Sequence, residues 1–99
     1  MIHWTRTAST VPGKLASAQA FAAESIAYLK AKHGQDIVVS MPVGGNPNRI
    51  RWSTQFSSLA NYETYVDGLR ADPGYAALLS KGSDCFIAGS ITDEFWRSA

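Results

Sequence analysis

The sequence predicts an α+β fold in which a four-stranded antiparallel sheet, ordered along the chain as β-α-β-β-α-β, carries its helices on one face. Three observations lead there: a long helical periodicity that ends at His33, a strictly alternating run from Arg49 to Phe56, and helix-start signals at Ser58 and Asp72.

The first strand is Ile2 to Ala8, where bulky and β-branched residues alternate over a short stretch. Val11-Pro12-Gly13 breaks it. From Lys14 onward, Leu15, Ala18, Ala22, Ile26 and Leu29 recur at helical spacing, flanked by Phe21 and Tyr28, which predicts a helix of about five turns. Lys32 and His33 followed by Gly34 supply a cationic last turn and a left-handed stop. Asp36 to Val43 is rich in Ile and Val. It pairs as a hairpin with Arg49 to Phe56 across Gly44-Gly45-Asn46-Pro47-Asn48, a loop that leads into a strand and so is no phosphate cradle. Ser58 caps a helix starting at Leu59, Asp72-Pro73 starts a short third helix, and Gly82 ends it. Cys85 to Ile91 is expected as the last strand, with Phe95 and Trp96 in a polar tail that lies as an arm on a partner subunit.

Right-handed crossovers turn this order into a ferredoxin-like sheet with both helical regions on one side. Residues 1–99 are expected to form one domain, and a composition 45% hydrophobic and 17% charged is that of a folded chain. A domain of this size removes only about 60 to 70% of its unfolded surface from water, so the bare sheet face calls for cover, and a homodimer supplies it. Ile50, Trp52, Thr54 and Phe56 form the core side of the third strand. Arg49, Arg51, Ser53 and Gln55 form the other, as an interfacial network or a pocket lining.

A formal charge of +1 without a basic stripe excludes a nucleic-acid surface. The single Cys85 and two scattered histidines give no disulfide framework and no metal-ligand spacing. No signal-like or membrane-spanning stretch occurs, since Gln19, Glu24 and Lys30 interrupt the Ala-rich region, and the expected location is the cytoplasm.

The stretch Thr54-Gln55-Phe56-Ser57-Ser58-Leu59-Ala60-Asn61-Tyr62-Glu63, a strand end entering a capped helix, is followed by Asp72-Pro73-Gly74-Tyr75-Ala76-Ala77-Leu78. This layout, over nearly the whole chain, resembles the dimeric α+β barrels that include antibiotic-biosynthesis-type monooxygenases and NIPSNAP-domain proteins. In many monooxygenase members an aromatic ends the third strand and a His lies in the following helix; Phe56 and Tyr65 fill those places here. The resemblance implies a pocket between helices and sheet for a small hydrophobic or aromatic molecule, with cofactor-independent oxygenation in some members. The alternative is a non-catalytic dimeric module that binds a ligand or a protein.

Such chemistry needs a proton acceptor, an oxyanion donor and an apolar wall. His3 is the candidate for the first, Arg51 for the second, and Trp4, Trp52 and Tyr65 for the wall. Each also has a structural reading: a satisfied strand imidazole, a bridge between subunits, or ordinary aromatic core. Cys85 reads as an inert buried thiol, and Glu63 and Asp67 as solvated helix surface. The enzymatic reading requires an open cavity, and a space filled by Trp52, Phe56 and Leu69 would end it.

Overall fold

The computed structural model describes residues 1–99. The elements are β1 (Ile2–Ser9), α1 (Leu15–His33), β2 (Val38–Ser40), β3 (Arg49–Phe56), α2 (Leu59–Arg70), α3 (Pro73–Gly82) and β4 (Thr92–Arg97), with a 3-10 turn at Ser83–Cys85. The sheet order is β2-β3-β1-β4 with every neighbour antiparallel, the ferredoxin-like arrangement expected.

Register sorts the side chains by face. Ile2, Trp4, Arg6 and Ala8 of β1 lie opposite Phe56, Thr54, Trp52 and Ile50 of β3, and this set faces the helices. The other face presents His3, Thr5, Thr7 and Ser9 against Gln55, Ser53, Arg51 and Arg49. Alternation in β3 follows because its inner residues are all buried while the outer ones are not.

The helices meet that inner face unequally. Ala18 and Ala22 of α1 are fully buried, and their small side chains let α1 sit close on Ala8, Ile50, Trp52 and Cys85. Gly34 ends α1 at φ 67, a conformation glycine takes without a Cβ penalty, and its N–H bonds the Lys30 carbonyl. The Ser58 hydroxyl accepts from the Asn61 N–H at the start of α2, and the Asp72 carboxylate accepts from the Gly74 and Tyr75 N–H groups at the start of α3. Although α2 carries Tyr62, Tyr65, Val66 and Leu69 at amphipathic spacing, none of its residues is buried. At one end of β3, Phe56 is covered by Tyr62 and Tyr65, but beside them a space is left between α2 and the sheet.

Three expectations are corrected. The second strand is three residues long, because Asp36 and Ile37 run beside the sheet outside its ladder and Pro42 follows soon after. The apolar segment Cys85 to Ile91 is not the last strand: it makes one bridge, Thr10 to Phe86, and then turns at Gly89 (φ 78), where the Ser90 hydroxyl bonds the Ile87 carbonyl. Cys85 is buried and Phe86 half-buried, while Ile87 and Ile91 are exposed and border the space under α2 as a wall, so the run is as apolar as a strand without joining the ladder. The ladder is completed instead by Thr92–Arg97, so Phe95 and Trp96 belong to an edge strand and form no arm. No helix is long and apolar enough to cross a membrane.

Candidate functional site

The space under α2 is a cavity of about 360 Å³. Its floor is Trp4, Arg6 and Trp52 from the sheet, its roof Tyr62, Tyr65 and Leu69 from α2, and its sides Phe21 of α1 and Phe86 and Ile87 of the wall segment. Trp52, Phe56 and Leu69 border the space without filling it. Aromatic rings hold the walls apart by edge and tilted contacts: Phe21 with Phe86 at 5.8 Å between centroids, Trp52 with Phe86 at 5.7 Å, and Phe56 with Tyr62 and with Tyr65 at 5.4 Å each. Outside the lining, Phe95 of β4 packs edge-on against Tyr62 with 4.9 Å between ring centroids.

The polar groups are few and converge. Arg6 donates through Nε to Asp93 Oδ1 at 2.7 Å and through Nη2 to Oδ2 at 2.9 Å, and its guanidinium lies 5.4 Å from the Trp4 ring centroid. That pairing lifts the Arg6 pKa above its ordinary value, so the cation persists. Burial raises both Tyr65 and Tyr75 above the usual phenol range, and the two hydroxyls remain protonated donors. The lining contains no His, Lys, Cys or carboxylate. The indole Nε1 of Trp4 is buried and makes no hydrogen bond.

The five site candidates fall on two sides of the sheet. Trp4, Trp52 and Tyr65 line the cavity together. His3 and Arg51 are on the opposite face, where His3 Nε2 meets the Ser98 hydroxyl at 2.6 Å and Arg51 lies across from Thr7. The structure therefore does not bring those two to the aromatic wall; strand parity turns them away from it. Cys85 is buried in the α1 cluster, and Glu63 and Asp67 are exposed on α2.

Sequence reasoning missed Arg6, Tyr75 and Asp93. Arg6 is two residues from Trp4 on one strand, so parity alone places both on one face. Asp93 carries no such signal, because its strand is exposed and follows an apolar run that resembles the last strand. A second polar group, also missed, stands behind the cavity: Asp72 accepts from Tyr28 Oη at 2.7 Å and His33 Nε2 at 2.9 Å. These hydrogen bonds, His33 first, hold its carboxyl down at about 2. This network fastens the α2–α3 junction to α1.

The sequence matches no protein-family model and no curated protein. Solved structures do match. A NIPSNAP family protein of unknown function from Agrobacterium tumefaciens superposes with a TM-score of 0.85 at 24% identity, over 100% of this chain and 88% of that one. An uncharacterised NIPSNAP domain protein from Burkholderia xenovorans gives 0.86 at 14% identity, over 100% and 95%. A candidate antibiotic biosynthesis monooxygenase from Deinococcus radiodurans gives 0.73 at 13% identity, over 100% and 93%. At these identities the likeness is one of fold, and the fold is the one the sequence resembles.

Proposed function

Taking as premise a fold shared with NIPSNAP-domain proteins and with proteins described as antibiotic biosynthesis monooxygenases, we propose that this protein binds a small, flat, apolar molecule under α2 and works as a homodimer. The observation that carries the reading is the stripe Tyr62, Tyr65, Val66 and Leu69, an amphipathic face that fronts an aromatic-walled space in place of a core. A volume of about 360 Å³ suits a bicyclic aromatic ligand, at the lower end of the usual range for small-molecule pockets.

Binding is favoured over proton-transfer catalysis by the composition of the wall, since Arg6 and the phenols are donors and no side chain there is a base at neutral pH. Oxygenation would then fall to a substrate that ionises by itself, with Arg6, Tyr65 and Tyr75 stabilising the oxyanion.

Dimerisation is supported by how little one protomer buries, 14 of 99 residues, and by the large apolar side chains left on the far face of the sheet, Val38 at one edge and Trp96 at the other. A second copy laid on that face covers both edges.

The test is titration with 2-acetonaphthone, following tryptophan fluorescence and the melting temperature, with native mass spectrometry for the subunit count. Saturable binding at one probe per protomer, lost when Val66→Trp fills the cavity, is the expected result. Equal binding by the filled variant would overturn the cavity reading, and a monomer in the native spectrum would overturn the dimer. Oxygen uptake on adding an enolisable probe separates an enzyme from a binder.

A further inference from the structure

We propose that Asp93, which does not line the cavity, sets its selectivity for charge: by pairing with Arg6 it makes the site prefer a neutral carbonyl compound, a ketone or ester, over an organic acid. The inference rests on the ligand-binding reading above and adds the chemistry of the ligand.

The geometry runs from β4 inward. Arg6 and Asp93 are register partners on β1 and β4, and the side-on pair engages Nε and Nη2 with both carboxylate oxygens. A guanidinium has five N–H donors, so three remain after this pairing. Arg6 lines the cavity and Asp93 does not, so the cation borders the ligand space with its counter-charge outside the lining. The cavity therefore offers hydrogen-bond donors without net charge. Tyr65 and Tyr75 add protonated hydroxyls on the roof and side.

A ligand oxygen that accepts hydrogen bonds is satisfied there. A carboxylate would accept the same bonds, but it would lose its hydration on entering apolar walls and would stand beside a carboxylate already holding the cation. Arg6 unpaired would reverse that preference, because an organic anion would then supply the missing counter-charge. No acidic side chain lines the space itself. Glu94, the neighbour of Asp93 on β4, pairs in register with Thr5 on the far face of the sheet.

The experiment compares 2-acetonaphthone with 2-naphthoate, two probes of one ring system that differ in charge, by calorimetry on the purified protein. Wild type is expected to bind the ketone at least about tenfold more tightly than the acid, and Asp93→Asn to bring the acid level with the ketone or ahead of it, a shift modest for charges a few ångströms apart at a partly exposed site. Asp93→Glu keeps the charge and should keep the preference. Because loss of the pair could cost the fold, a second readout uses wild type alone: the carbonyl stretch of bound 2-acetonaphthone should lie below its value in an apolar solvent, as donation from Arg6 requires. Equal affinities for the two probes in wild type, or an unshifted carbonyl stretch, would overturn the role of the Arg6–Asp93 pair while leaving the cavity reading in place. Binding of neither probe would overturn the cavity reading itself, and the inference with it.

Discussion

Replacing Gly82 with alanine sets two effects against each other. Gly82 is buried at the end of α3 with φ −100, so the backbone itself accepts alanine. In a helix interior that change gains up to about 1 kcal/mol of propensity, and less at a terminal position. A Cβ there overlaps Cγ, Cδ1 and Cε1 of Phe21. Because the overlap reaches Cγ, the ring cannot escape by spinning about its own axis; the whole side chain must turn, and overpacking of this kind costs typically about 1 to 3 kcal/mol. The steric effect wins, for a net loss of roughly 1 to 2 kcal/mol, or a fall in Tm of about 5 to 10 °C for a domain of this size. Open space lies on the cavity side of Phe21, so the ring should turn inward and weaken binding of 2-acetonaphthone as well. Calorimetric melting and probe titration on the same sample read both effects. An unchanged or raised Tm with unchanged affinity would refute the reasoning.

Ile50→Ala, at a position with no exposed surface, should lower stability by about 2 to 5 kcal/mol in urea with little change in slope; a loss under about 1 kcal/mol would mean the α1 half is looser than described. Asp72 has a folded pKa of about 2, below its unfolded value, so its contribution is present above the ordinary carboxylate range and is lost as pH falls through the folded pKa. The gap in urea midpoint between wild type and Asp72→Ala should therefore shrink from about pH 4 to about pH 2, and a constant gap would count against the network. His3→Ala and Arg51→Ala, being across the sheet, should each leave probe affinity within about twofold, and a tenfold loss from either would relocate the site. Trp96→Glu, at an exposed edge of the far face, should split the dimer in light scattering, whereas an intact dimer would place the interface elsewhere.

Local signals were legible where a residue does one job. Ser58, Asp72-Pro73 and Gly34 mark helix ends by satisfying backbone groups, and each does so in the structure. The alternation in β3 reflects one buried and one open face. β4 was not legible, because an edge strand exposed along its whole length has no burial pattern to display, while the apolar wall segment before it resembles a strand. The site was half legible for a related reason. Trp4, Trp52 and Tyr65 stand out by residue type and share the cavity, whereas the parity of β1 and β3 puts His3 and Arg51 on the other face. Tyr75 and Asp93 reach the site only through tertiary placement, on elements far apart in sequence.

The unequal seating of the two long helices has a consequence for how this chain tolerates change. Under α1, Ala18 and Ala22 touch the sheet directly, and added bulk there has nowhere to go. Under α2, Tyr62, Tyr65, Val66 and Leu69 border open volume, and exchanging one for a larger or smaller residue alters the hollow more than it alters the packed core. Substitutions under α2 should therefore reshape the hollow at little cost to the fold, whereas the α1-backed half leaves them almost no room.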